Sequence, residues 1–378
     1  MAVTVDKRGN GLPTSSRPAR ALAPERPSAP VIPPVAFDHE ELAVRRGSRS
    51  GLTVVVAIHS TALGPALGGL RVWPYSGTVD GARDALRLAS GMTYKAAAAG
   101  LDLGGGKGVI CAPRGGLEGE LRRAALLDFG DLVESLDGRY VTAEDVGISP
   151  HDLVVIRERT EHVTGLPPEH GGSGDPSPFT AHGVEAAIRA CVRARYDDPA
   201  LAGRTIAVVG LGHVGLGLAQ RLSEAGCELL VSDIAAQKRE LAGQLGARWL
   251  DPSEAMLAEC DVLAPCALGG AIGVHNVNDL RCEIVCGSAN NQLADESLAD
   301  ALDEREILYA PDFIANAGGL MHVYMEIKGY SEERATALAA GIEGAVTRVL
   351  DTARERHITP LAAARAIARE RLDAAVRD

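Results

Sequence analysis

Two lysines stand where lysine is rarely placed for solubility. Lys95 closes Gly91-Met-Thr-Tyr-Lys and Lys107 closes Leu103-Gly-Gly-Gly-Lys, both amid glycine and alanine. Two ammonium groups in one desolvated pocket depress each other's pKa, which leaves one neutral near pH 7 to act as a base while the other holds a carboxylate. On spacing alone, two surface lysines with snorkelling stems fit as well. Asp145, in Thr142-Ala-Glu-Asp-Val-Gly147, ends a Tyr-Val-Thr run, a position suited to a catalytic carboxylate; a turn or helix-capping aspartate is the plainer alternative. The pair Gly68-Gly69 after Leu67 marks a close approach of backbone, either to a ligand or to another strand.

A second constellation concerns a nucleotide. Gly210-Leu211-Gly212-His213-Val214-Gly215 follows the apolar run Thr205-Ile-Ala-Val-Val209 and opens a helical pattern. The first glycine permits the tight turn, the second lets backbone approach a pyrophosphate, and the third lets helix and strand pack closely. One such match is weak in a chain with 43 glycines. Asp233, at the end of the next strand, strengthens it, because a carboxylate there accepts hydrogen bonds from ribose hydroxyls and repels a 2′-phosphate. NAD is therefore favoured over NADP, with Lys238 and Arg239 close in sequence as the opposing feature. His213 occupies a variable position of such loops and is read as structural.

These residues need elements to hold them. Gly51–His59 is a β-branched strand-like run, and Ala82, Ala85, Leu86 and Ala89 share one helical face between Gly81 and Gly91. A glycine-dense stretch follows from Gly100 to Gly108. Further on, a strand at 204–209, a helix through Leu216, Ala219, Leu222 and Ala225, and a strand at Glu228–Ser232 make a βαβ unit and imply a parallel sheet. More strands are expected near 261–264, 283–286 and 307–310, and the chain from about Ser331 reads as helical. With 378 residues the expectation is an α/β protein of two domains.

Composition narrows the function classes. A net charge of −12 and only 3% aromatic residues argue against a nucleic-acid surface. The sequence holds no apolar run of about 18 residues to span a bilayer, and its first residues lack the apolar core of a signal peptide, so a cytoplasmic location is expected. The seven cysteines form no C-x-x-C pair and have no histidines at zinc-ligand spacing, so they read as buried free thiols and no metal is expected. Residues 1–35 carry seven of the 20 prolines and read as a disordered leader.

Taken in order, Gly64-Pro-Ala-Leu-Gly-Gly-Leu-Arg71, Gly91–Lys95, Leu103–Lys107, Thr142–Gly147, Gly287-Ser-Ala-Asn-Asn-Gln292 and Asn316-Ala-Gly-Gly319 resemble the motifs of the glutamate/leucine/phenylalanine/valine dehydrogenase family. The resemblance runs from about residue 36 to the C-terminus. It implies a substrate and catalytic domain over 36–180, a Rossmann-type NAD domain over 181–330, and C-terminal helices over 331–378 that pack back on the first domain. It implies NAD-dependent, reversible oxidative deamination of an L-amino acid to the 2-oxo acid and ammonia, by a homo-oligomer. Lys95 matches the lysine that binds the α-carboxylate, beside the Gly68-Gly69 backbone; Lys107 matches the catalytic lysine, and Asp145 the carboxylate that handles the amino group's protons. Thr180, Ala289 and Asn290 match positions near the nicotinamide, and Asn316 an asparagine that orients cofactor or substrate across the cleft.

The resemblance also bears on the substrate. Glutamate-using members carry a lysine just before the Gly-Gly pair, where this chain has Leu67, and a polar residue where it has Val323. A buried γ-carboxylate without a partner is costly, so the pocket, with Leu67, Met92, Ala143, Leu320 and Val323 as its walls, favours an apolar side chain of the leucine, valine or isoleucine type. His322 departs from the asparagine of leucine dehydrogenases toward phenylalanine dehydrogenases, which keeps an aromatic substrate as the alternative. Ala96 departs from the asparagine that follows the lysine in many members. A glutamate or other dicarboxylate dehydrogenase, and a catalytically silent NAD-binding regulator, are the remaining readings.

Overall fold

The computed structural model describes residues 38–377, so the leader expected over residues 1–35 lies outside it. The first half builds on strands β1 (Glu41–Arg46), β2 (Thr53–Ser60), β3 (Ala66–Trp73), β4 (Gly104–Cys111) and β5 (Tyr140–Ala143), in the sheet order β1-β2-β4-β3-β5. The sheet is mixed: β2 is antiparallel to β1 and β4, whereas β3 runs parallel to β4 and β5. Helix α1 (Thr78–Ala98) connects β3 to β4, α2 (Gly119–Glu134) connects β4 to β5, and α3 (Pro150–Arg157) follows β5.

The helix expected between Gly81 and Gly91 runs on to Ala98 and carries Lys95 in its last turn. Gly91 inside it costs roughly 1 kcal/mol in propensity. The burial of Ala85, Ala89, Thr93, Ala96 and Ala97 along one face outweighs that cost. The glycine-dense stretch Gly100 to Gly108, to which the sequence assigns no element, contains most of the central strand β4. Its glycines replace the usual β-branched pattern because neighbours press on both faces. A Cβ at Gly105 would lie 2.1 Å from the Thr93 nitrogen on α1, and one at Gly106 would lie 2.6 Å from the Tyr140 ring.

The second half begins with α4 (Ser177–Tyr196) and continues through β6 (Thr205–Val209), α5 (His213–Glu224), β7 (Glu228–Ser232), α6 (Arg239–Gln244), β8 (Arg248–Trp249), α7 (Pro252–Met256), β9 (Cys260–Pro265), β10 (Cys282–Val285), α8 (Leu298–Glu304) and β11 (Leu308–Tyr309). Its sheet is entirely parallel, in the order β11-β10-β9-β6-β7-β8. The order reverses between β6 and β9, and in open parallel sheets that reversal opens the ligand crevice. Every strand expected here is present, with ends shifted by a residue or two.

Five helices complete the chain: α9 (Asp312–Ala315), α10 (Gly318–Ile327), α11 (Glu332–Ala340), α12 (Ile342–Arg356) and α13 (Pro360–Ala375). The last returns to the first half, where Arg371 donates to the carbonyls of Ala97 and Leu101 at the end of α1 and pairs with Asp102. All seven cysteines are free; four are buried, while Cys111, Cys227 and Cys266 are only partly so.

Candidate active site

Strand periodicity places Lys107. Gly106 and Gly108 face the Tyr140 and Phe129 rings, whereas Gly105 and Val109 face α1, where they meet Thr93 and Gly81. Lys107 shares their parity and so projects on the α1 side. Because Gly105 lets α1 lie almost on the strand, the last turn of that helix brings Lys95 to the same region.

Lys107 is 5% exposed, and its Nζ lies 2.8 Å from Asp145 Oδ2. The same oxygen accepts from Arg71 Nε at 2.9 Å. Burial pushes the Lys107 pKa down, Asp145 opposes this, and the Arg71 guanidinium adds to the depression. Lys95 was expected to be the cation pressing on Lys107, but burial and Arg71 carry that effect because Arg71 shares the carboxylate oxygen. The reverse influence does exist: burial chiefly, then Lys107, lower Lys95 to about 8 against the pull of Asp312. Asp145 falls below the usual carboxylate range, because Lys107 and Arg71 together outweigh the rise that burial alone would produce.

Lys95 reaches across the molecule, its Nζ donating to Asn316 Oδ1 at 2.7 Å. Asn316 in turn donates to Ser288 O and to Asn290 Oδ1, at 3.2 and 2.8 Å. Thr180 sits close by, since a Cβ on Gly319 would lie 2.8 Å from its Oγ1, and Ala289 is buried beside Asn290. Leu67 is buried in the apolar cluster against which Ala143, Leu320 and Val323 pack. Met92 is half-buried one turn before Lys95 and does not join that cluster. His322 is fully buried, stacked on Phe179 at 4.3 Å. The close approach of Gly68-Gly69 is to backbone: a Cβ on Gly68 would lie 1.7 Å from Gly106 O, and one on Gly69 would lie 2.4 Å from Glu144 O.

The glycine-rich turn sits at the reversal of the second sheet. Gly210 has φ +107°, a conformation few side chains adopt, and its missing Cβ leaves room for Ala267 after β9. A Cβ on Gly215 would lie 1.9 Å from Gly210 O, so this glycine closes helix onto turn. Gly212 opens α5 with nothing within 4 Å of its Cβ direction, flanked by buried Leu211, exposed His213 and half-buried Val214. Asp233 Oδ2 accepts from the Leu211 nitrogen at 2.8 Å and from Lys238 Nζ at 2.9 Å. The residues fit a dinucleotide: an open helix start for its pyrophosphate, and a carboxylate at the end of β7 for its ribose.

Two features were missed from sequence. Arg71 closes the Gly64–Arg71 motif, but nothing in its type or spacing links it to Asp145. Glu326 on α10 accepts from the Gly165 and Ser173 nitrogens at 2.7 and 2.8 Å and from the Thr164 and Ser173 hydroxyls. A glutamate next to the last residue of a helix carries no signal of such a role.

A family model for the dimerisation domain of the Glu/Leu/Phe/Val dehydrogenases matches residues 36–162, and one for glutamate/leucine/phenylalanine/valine dehydrogenases matches residues 230–378. The NAD-binding domain model of the D-isomer specific 2-hydroxyacid dehydrogenases matches residues 183–269. Leucine dehydrogenase of Bacillus subtilis is 44% identical over 89% of this chain and 92% of its own. Valine dehydrogenase of Streptomyces virginiae is 42% identical over 88% of this chain and 94% of its own. The crystal structure of L-tryptophan dehydrogenase from Nostoc punctiforme superposes with TM-score 0.82 at 37% identity, covering 90% of this chain and 98% of that one.

Proposed function

Because the chain belongs to the Glu/Leu/Phe/Val dehydrogenase family, we propose that it oxidatively deaminates an apolar L-amino acid of the leucine, valine or isoleucine type, with NAD as oxidant. The observation that carries this reading is the pairing of buried Lys107 with half-buried Asp145, with Lys95 on the helix that packs against the Lys107 strand and Leu67 in an apolar cluster against which Val323 packs. Neither of the last two residues offers a partner to a second carboxylate, which disfavours glutamate.

In this reading Lys95 holds the α-carboxylate. Gly210, Gly212, Gly215 and Asp233 hold the dinucleotide, with Thr180, Ala289, Asn290 and Asn316 toward its reactive end. NAD, when bound, supplies the acceptor for the hydride on the substrate Cα. Asp145 first takes a proton from the substrate ammonium group, so that loss of the hydride from the neutral amine leaves an iminium. Lys107, whose pKa burial lowers, takes in its neutral form a proton from water as the water oxygen bonds to the iminium carbon. Asp145 returns its proton to the nitrogen, the carbon–nitrogen bond breaks as the hydroxyl proton moves to the departing ammonia, and Lys107 gives the proton it took from water back to solvent, leaving ammonium and the 2-oxo acid. Burial of Lys107 lowers the local dielectric, which strengthens each of these contacts.

We take residues 36–180 as the substrate domain, 181–330 as the NAD domain and 331–378 as helices completing the first. The α13 contacts with α1 support the last assignment. The dimerisation-domain match supports a homo-oligomer. No helix among the described residues is long and apolar enough to cross a membrane, in keeping with a cytoplasmic enzyme. The aromatic alternative draws on the tryptophan dehydrogenase likeness, although His322, the residue that suggested it, is spent on stacking with Phe179.

The test is NAD and NADP reduction across a panel of L-amino acids. Leucine, valine or isoleucine with NAD should give the highest kcat/KM; an aromatic residue in first place selects the alternative, and glutamate in first place overturns the reading. Lys107→Ala should lower kcat by roughly 10²–10⁴-fold, as loss of a general base does, with NAD binding retained.

A further inference from the structure

We propose that Arg71 is a positioning residue for the Lys107–Asp145 pair: by holding Asp145 Oδ2 together with Lys107, it leaves Oδ1 as the oxygen that exchanges protons with the substrate nitrogen. This rests on the catalytic reading of that pair. Both charged donors to Asp145 meet at Oδ2, Lys107 Nζ at 2.8 Å and Arg71 Nε at 2.9 Å. Among the described residues none donates a hydrogen bond to Oδ1.

Arg71 is itself braced. Its Nη1 lies 3.1 Å from Asp84 Oδ2 on α1, and that carboxylate also accepts from Tyr75 OH at 2.6 Å and Arg87 at 2.8 Å. The guanidinium therefore spans β3 and α1 with a carboxylate at each end, a geometry that its planar fork suits and a single ammonium does not. Beyond it opens a groove of about 620 Å³ lined by Trp73, Tyr75, Asp84 and Val146, with neither lysine in its wall. Arginine keeps its proton, so the pair has no titrating outlet toward that groove and its proton traffic runs through Oδ1.

The charges that face Lys107 give the test its signs. Arg71 on β3 repels its proton, Asp84 on α1 and Asp145 after β5 attract it, and Lys95 and Glu144 stand nearby. Arg71→Gln should lower kcat at least about tenfold with little change in the amino-acid KM, and should move the rising limb of the kcat profile to higher pH. Asp84→Asn should move that limb to lower pH. Arg71→Lys should recover part of kcat, and in an Asp145→Asn background Arg71→Gln should cost almost nothing further. A kcat loss with an unmoved limb, or an equal loss with and without Asp145, would show Arg71 to be structural only and overturn the proposal. If Arg71→Gln does not fold, Arg71→Lys alone and in the Asp145→Asn background takes its place: a kcat loss confined to the enzyme with Asp145 supports the proposal, and an equal loss in both overturns it. Near-normal rates in Lys107→Ala or Asp145→Asn would instead sink the catalytic reading beneath it.

Discussion

Lys95 is an ionisable group held at a loss. Burial strips water from its ammonium and Lys107 repels it, so the folded value falls to about 8 from the ordinary 10.5. A folded value below the unfolded one means that the penalty is fully present below pH 8, fades between 8 and 10.5, and is absent above. Lys95→Met should therefore raise the melting temperature at pH 7 while abolishing productive substrate binding. The gain should be about 1–2 kcal/mol, less than the full shift implies because the side chain is only partly buried. Thermal melts of both proteins from pH 7 to 10.5 check the sign: the gap should close as pH rises, and a constant gap rules the argument out. Lysine among glycines made Lys95 and Lys107 conspicuous in the sequence. Their consequences were less legible, since the cation acting on Lys107 is an arginine 36 positions earlier that no spacing rule links to it.

Among elements, β4 shows what glycine does when it carries no ligand. Strand periodicity usually announces itself through β-branched residues, and β4 has glycine at 104, 105, 106 and 108 because the Ser60 carbonyl, α1, Tyr140 and Phe129 in turn leave no room for side chains. The sequence therefore shows a loop-like composition where the sheet has its centre. The βαβ unit of the second half was readable because its apolar strands and amphipathic α5 follow the ordinary rules. Two glycine substitutions separate the roles. Gly68→Ala puts a Cβ 1.7 Å from a backbone oxygen of β4, which cannot yield without moving the strand, so a loss of more than about 3 kcal/mol, or failure to fold, is expected in denaturant titration. Gly212→Ala meets nothing within 4 Å and should leave stability within about 0.5 kcal/mol while raising the KM for NAD. Equal destabilisation by both would contradict this division of labour.

At the scale of the whole molecule, residues 164–176 carry the chain from the edge of the first sheet to α4. Thr164 still pairs with β5 through Thr142 O, and one Glu326 carboxylate takes the Gly165 and Ser173 amides. Glutamine at 326 retains one acceptor and turns an amide toward the other N–H. Glu326→Gln should therefore speed hydrogen exchange across 164–173 by about tenfold or more, with β6 and β9 unchanged; unaltered exchange there would show that the carboxylate holds nothing. A strand linking two bodies is a tether whose slack grows with its free residues. Here 164–173 is stitched down, Pro176 has its φ set by its ring, and the slack that remains is Gly174, at φ +83°, and Asp175. Two residues cannot let the halves wander; at this crossing they can only swing along a short arc.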